Sequence, residues 1–471
     1  MSPRFNPTLA MRFWVLASCL LAASALPAQD DATPPRIAPK LFGFDIPAGP
    51  LKPGGAAVAT RDEDGRVVSA KVHVAVGENF IVMLPDGTLV ARRADQVQAT
   101  DNPFAAEAKD ALAKRLTTGK LEDFRTSQTR RYLYVYNTTE TFAVVTSRIL
   151  ETMFPGVTAY AKAQKIDVRE PEVPLVVVMY KDRAEYQRAT NAPDGMIAFY
   201  NAVDNRVSMY ENSRLAYDRP DLAVQQAVAT IAHEGAHQIL HNIGVQQRLS
   251  VWPMWLSEGM AEFFAPTTTD QRLRWSGAGQ VNNMRMFELE QYFKSRPADA
   301  DGKLIEDTVE AARLTSTGYA TSWALTHYLA RHRREDFHKY VNEVSRLGPL
   351  EGDLRIVRPG VIPGNRQLFE EHFGDEYETI ERRIVAHLNR LPYHDPFAAS
   401  PHYVATIAVE VGGRIKRDAN VFRTEALARK WQGETVAALP EETRNTARLS
   451  VRRVANKQTA QQFALGWIRG G

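Results

Sequence analysis

Cysteine is nearly missing: 471 residues contain one, Cys19. The body of the protein therefore has no disulfide and no thiol catalysis. Long apolar runs are missing too. No stretch reaches the ~20 residues of a membrane-spanning helix. The longest in the interior of the chain, Pro174 to Tyr180, reads as a buried strand. Nor is there an excess of one charge. Lys and Arg number 58 against 55 Asp and Glu, a formal +3, which gives no argument for nucleic acid or an anionic membrane surface. What is present is an ordinary globular composition, 44% hydrophobic and 24% charged, with length for two or three domains.

The N-terminus has its own pattern. Arg4 and Arg12 precede an apolar run from Phe13 to Leu26, and small residues follow to Ala28. That order is expected of a signal peptide over residues 1–28, and so of an exported, periplasmic or extracellular protein with no spanning segment in its mature chain. Leu16-Ala-Ser-Cys19 also has the form of a lipobox, which leaves anchoring through Cys19 as a second expectation.

Residues 29–40 are rich in Pro and Asp and read as a linker. Within a module at 29–105, Val67–Val76, Asn79–Leu84 and Thr88–Arg92 alternate as strands, and Pro85-Asp-Gly87 supplies a turn; a small β-barrel fits. In a second module, 106–395, Arg131–Tyr136 and 174–180 are expected strands. Thr139–Phe154 and Asp182–Ala189 are expected helices, and Ile197–Tyr200 with Arg206–Tyr210 a hairpin. Beyond Asp218-Arg-Pro-Asp221, a helix-start signal, the pattern turns helical: to His241, then 254–264, 281–294, 319–332, 334–346 and 376–390. Leu391 to Pro396 links to a last module at 396–471, read as strand, helix, strand, helix with strands at His402–Val411 and Ala447–Val454. The fold class is α+β.

The chemistry sits on the long helix. His233-Glu-Gly-Ala-His237 is an H-E-x-x-H motif. Residues i and i+4 of a helix lie about 40° apart in rotation and about 6 Å apart along the axis, so both imidazoles can share one metal. Glu234, rotated by about 100°, falls beside the metal, where its carboxylate can act as a general base. A catalytic zinc needs a third protein ligand and one open position. Pro253-Met-Trp-Leu-Ser-Glu258-Gly-Met-Ala-Glu262 offers Glu258 on the next expected helix. Glu262, one turn later, reads either as a partner for the outer N–H of a histidine ligand or as a solvated charge. The pattern with a third histidine six residues on fails, because Leu240 and Ile243 stand at its glycine and histidine positions. His241 therefore reads as a helix-end histidine rather than a ligand.

Together, His233-Glu-x-x-His237 and Trp255-Leu-x-Glu258-Gly-x-Ala resemble the gluzincin metallopeptidases. The second element is similar to the Trp-Leu-Asn-Glu-Gly-Phe-Ala signature of the aminopeptidase N group, and its particular form looks closer to exported bacterial families of the same clan. The resemblance spans about residues 130–390. It implies a thermolysin-like zincin catalytic domain, Zn²⁺ as cofactor and a peptide or protein as substrate. Tyr319-x-x-x-Trp-Ala-Leu-x-x-Tyr-Leu329 is similar to a downstream helix of the aminopeptidase group. By that likeness Tyr319 takes the place of the oxyanion donor; its plain alternative is a core tyrosine. His327 and Tyr328 read as structural.

One departure matters. The aminopeptidase group grips the substrate's amine with the glutamate of a Gly-x-Met-Glu-Asn strand. Here Gly195 to Asn201 has no glutamate, and Glu211 is a distant substitute, which favours an endopeptidase. The C-terminal module faintly resembles peptidoglycan-binding repeats and so leaves cell-wall association open; Arg414, Lys416, Arg452 and Arg453 there read as a solvated face. Two rivals use the same motifs: an inactive zincin-fold binding or structural protein of the envelope, and a zinc hydrolase of a non-peptide amide.

Overall fold

The computed structural model describes residues 36–119, 121–211, 220–267, 273–297, 300–356 and 359–470. The expected signal peptide, most of the linker and the Asp218 cap lie outside them. The chain is mixed α+β and divides into two compact units, one ending at Leu391 and one starting at Pro392.

The first unit opens with an antiparallel sheet. Its strands are β1 (Leu51–Pro53), β2 (Ala57–Arg61), β3 (Val67–Val76), β4 (Asn79–Met83), β5 (Leu89–Arg92) and β6 (Gln98–Ala99). The order is β5-β4-β3-β2-β6, with β1 also paired to β3. β3 carries a bulge between Val72 and Val74. An extra residue in a strand exchanges its faces. Ala70 and Val72 accordingly pack in one apolar cluster with Val82, while Val74 and Val76 join another with Ile81 and Leu89. This second cluster also contains Val173, Leu249 and Leu350, so the sheet shares a core with later parts of the unit.

After helix α1 (Lys109–Leu116) comes a five-stranded sheet of β7 (Arg125–Gln128), β8 (Tyr132–Tyr136), β9 (Leu175–Tyr180), β10 (Ala198–Asn201) and β11 (Arg206–Tyr210), in the order β10-β11-β9-β8-β7. β8, β9 and β11 run parallel; β10 and β7 are antiparallel edges. Every residue of β8 and β9 is buried, which is why they read as unbroken apolar runs rather than alternation.

Helix α2 (Glu140–Ala163) links β8 to β9 and is longer than the sequence pattern indicates. Pro155 marks an expected end, yet the helix continues, because Val157 and Ala161 extend the same buried stripe. After the short α3 (Arg183–Thr190), α4 (Pro220–Asn242) packs between α2, the β10–β11 hairpin and α5 (Met254–Phe264). The rest is helical: α6 (Asn283–Ser295), α7 (Lys303–Glu310), α8 (Ser316–His332), α9 (Arg334–Val344), α10 (Pro363–Phe373) and α11 (Tyr377–Leu388). α8 packs against both α5 and α6.

The second unit contains β12 (His402–Val411), β13 (Arg414–Phe422), α12 (Glu425–Ala437), α13 (Glu441–Arg444), β14 (Arg448–Val454) and α14 (Lys457–Arg469), with sheet order β13-β12-β14, all antiparallel. β13 is absent from the sequence reading. It is a largely exposed edge strand rich in Arg, Lys and Asp, with Ala419 and Val421 packed on the core. Val404, Ala460 and Ala464 form the buried core, and Arg414, Lys416, Arg452 and Arg453 are exposed.

Candidate metal centre

The H-E-x-x-H residues lie on α4 where that helix is buried on every side. His233, Glu234 and His237 are at most 4% exposed. Two close approaches bring its neighbours in. At Gly235 the helix passes so near α2 that an added Cβ would sit 2.3 Å from Leu150 Cδ2. At Gly259 on α5, a Cβ would sit 2.3 Å from Thr326 Oγ1 and 2.7 Å from the Ser322 carbonyl on α8. The glycine after Glu258 thus lets α5 lie against α8 and sets how far Glu258 reaches.

Glu258 reaches both histidines. Its Oε2 lies 3.2 Å from His233 Nε2 and 3.6 Å from His237 Nε2, and the three atoms all lie within 4.8 Å of one another. The two imidazoles meet edge to face, centroids 4.9 Å apart. His237 Nε2 and Glu258 Oε2 are buried with no hydrogen-bond partner among the described residues. Three buried acceptor atoms turned on one point suit a cation, and two imidazoles with one carboxylate are a donor set for a divalent transition metal. The residues present fit such an ion.

The outer support is a polar chain. Glu262, 3% exposed, places Oε1 3.3 Å from His233 Nδ1, as expected of a partner that fixes the ring, and not as a solvated charge. The same oxygen is 2.5 Å from Arg285 Nη2, while Asn282 Nδ2 donates to Glu262 Oε2 at 3.0 Å. Arg285 Nη1 donates to Glu288 at 2.8 Å, and Ser316 Oγ donates to the other oxygen of Glu288 at 2.8 Å.

Without a metal, the charges hold one another. Burial alone would push the His233 imidazolium down, but Glu258 and Glu262 outweigh it and hold the ring up at about 10. Burial opposes ionisation of Glu258 too, yet His237 and His233 take it well below the usual carboxylate range. For Glu262 the burial cost is overcome by Arg285 and His233, down to about 2. Glu234 moves the other way: burial raises it, against the pull of the two histidines.

Glu234 Oε2 accepts a hydrogen bond from Tyr200 N at 2.9 Å, which fixes the carboxylate against β10. A side-chain latch locks that register. Asn205 and Asn242 exchange amide hydrogen bonds at 2.9 and 2.7 Å, Tyr200 Oη donates to Asn205, and Gln238 Nε2 donates to the carbonyls of Val176 and Asn205.

Tyr319 is 3% exposed, its ring 6.5 Å from that of His233 and under the Arg285 guanidinium. His241 lies outside the converging set, its ring against Tyr200 at 5.2 Å. Glu211 accepts from Thr139 N and Thr139 Oγ1 at 2.9 and 2.8 Å, a role at the start of α2 and not at the metal centre. His327 is fully buried in a histidine chain. Arg285 is absent from the sequence reading. It shares a stripe with Met286 and Leu289 on α6, and an arginine among buried positions calls for a carboxylate partner.

A family model described as Protein of unknown function (DUF1570) matches residues 227–351. That span contains His233, Glu234, His237, Glu258, Glu262, Arg285 and Tyr319. No curated protein matches the chain.

Proposed function

We propose that the chain is an exported zinc metallopeptidase of the gluzincin type, with a thermolysin-like catalytic half and endopeptidase activity. The observation that carries this reading is the convergence of His233, His237 and Glu258 beside a buried Glu234. Zinc held by the three side chains supplies a Lewis acid that polarises a carbonyl and acidifies water.

The rest is work for the chain's own residues. Tyr200 N holds one oxygen of Glu234, leaving Oε1 to take the proton of the attacking water and pass it to the departing amine. Burial raises the affinity of Glu234 for that proton, which suits a general base. β10 is the sheet edge next to Glu234 and can pair with an extended peptide backbone. Tyr319 stands within the same buried cluster to donate to the developing oxyanion. Among the described residues, no helix is long and apolar enough to cross a membrane.

The test is hydrolysis of a peptide library and, in parallel, of cell-wall fragments by the wild type and by Glu234→Gln. The expected result is peptide cleavage at internal bonds, reduced by at least about 10²-fold in the variant with its metal content unchanged. Cleavage of cell-wall amides alone would replace the peptidase reading, and full activity in Glu234→Gln would remove Glu234 as the base.

A further inference from the structure

A second cavity lies away from the converging ligands. It holds about 490 Å³, within the range of small-molecule sites, between β1, β3, the segment after α2 and the C-terminal end of α4. One wall is apolar, with Leu51, Pro53, Val74, Met83 and Val173. Its polar lining is unbalanced: five basic side chains against Glu172 and Glu351.

The two acids are engaged. Glu172 binds Lys71 at 2.7 Å and stands 3.9 Å from Arg169, and Glu351 Oε2 accepts from Gly348 N at 2.7 Å. Three cations remain without a carboxylate within 4.0 Å among the described residues: Lys52, Arg248 and Arg346. Lys52 and Arg346 are exposed, whereas Arg248 is 5% exposed. Its guanidinium donates to the carbonyls of Ala202 and Val203 at 2.7 and 2.8 Å and lies 3.6 Å from Met83 Sδ. Asp204 and Asp86 act on this buried cation only from beyond ion-pair distance, and its direct hydrogen bonds go to neutral groups, so a closer anion would offset part of the cost of burying it.

Two histidines face the same space. The β3 bulge falls at His73, whose Nε2 lies 3.0 Å from the Arg248 carbonyl oxygen. Bulges commonly re-aim a side chain at a site. His241, 9% exposed, lines the cavity with Nδ1 buried and without a hydrogen-bond partner among the described residues. A neutral imidazole has one N–H, and in His241 it serves the Gln246 and Gln247 backbone, which leaves Nδ1 as an acceptor.

The geometry points to a binding site for a small organic oxyanion: a carboxylate or phosphate group held by Arg248, with Lys52 and Arg346 at the mouth and its apolar body against Leu51, Val74 and Met83. The site makes no use of the metal ligands. Arg248 alone cannot carry the test, because its removal also frees the Ala202 and Val203 carbonyls.

The experiment is calorimetric titration of the purified full chain with phenyl phosphate, with hexanoate and with benzyl alcohol as the neutral control. The mouth variants Lys52→Glu and Arg346→Glu are titrated alongside. The expected result is saturable binding of an anion, weakened at least about tenfold by either reversal, with metal content unchanged. Binding of phenyl phosphate only identifies a phosphate-bearing ligand, and of hexanoate only a carboxylate; both support the site. No saturable anion binding up to about 10 mM, equal binding of the alcohol, or affinities unmoved in both variants would overturn it.

Discussion

Arg285 and Glu262 form a buried ion pair, 2.5 Å between Nη2 and Oε1, directly behind the imidazole of His233. Arg285 also holds Glu288, so one guanidinium keeps two carboxylates in place. Arg285→Leu removes the guanidinium from both, leaving Glu262 with His233 and Asn282 and Glu288 with Ser316. The expected loss is about 3–5 kcal/mol of stability, because breaking a buried pair strands a charge. Zinc affinity is expected to fall about 10–100-fold, as when other outer-shell partners are removed. Urea unfolding and zinc competition with a chelating dye measure the two effects. Unchanged zinc affinity would mean that the pair is structural only.

Gly259 makes a second prediction. Alanine ordinarily favours a helix over glycine by about 1 kcal/mol. Here its Cβ would meet Thr326 Oγ1 and the Ser322 carbonyl, and a backbone carbonyl cannot turn away as a side chain can. Gly259→Ala should therefore destabilise by about 1–3 kcal/mol and lower zinc retention, since α5 must back away from α8 and carry Glu258 with it. Thermal melting with and without zinc checks both. A variant as stable and as zinc-replete as the wild type would contradict the close approach.

Why the candidate ligands are legible and their supports less so is visible in these residues. His233, Glu234 and His237 are read from local spacing, and Glu258 from a second local motif, because one helix fixes the geometry of i and i+4. Strands such as β3 and β9 announce themselves by alternation or by an unbroken apolar run. Arg285 and Tyr200 act across elements distant in sequence, so no local pattern links them to His233 or Glu234. The polar β7 was silent for a related reason: its four residues are exposed, and it is held by pairing with β8 and not by its own propensity. α2 outran its proline because burial of Val157 and Ala161 is a tertiary effect.

A third prediction concerns acid. His327, His387 and His332 form a chain: His327 Nε2 lies 3.1 Å from the Gly279 carbonyl, His327 Nδ1 2.8 Å from His387 Nε2, and His387 Nδ1 2.9 Å from His332 Nε2. With every ring neutral, each Nε2–H donates and each shared Nδ1 accepts. Burial, then Arg331 and His387, pushes His327 down to about 3; burial, then His332 and Arg331, pushes His387 down to about 4. The free side chain titrates near 6.5. The unfolded chain therefore binds protons that the native one refuses, so this stability is complete above about pH 6.5 and is lost as pH falls toward 4 and 3. Between pH 7 and pH 5, His327 alone accounts for about 2 kcal/mol. Urea midpoints at the two pH values should fall less in His327→Asn than in the wild type. Equal falls would contradict the neutral chain.

The most direct test of the metal centre is metal content by mass spectrometry on the purified wild type beside Glu258→Ala. The expected result is about one zinc per chain in the wild type, sharply reduced in the variant. Folded wild-type protein that binds no zinc even when zinc is added, or a variant that retains it fully, would contradict the three-residue centre on which the peptidase reading stands.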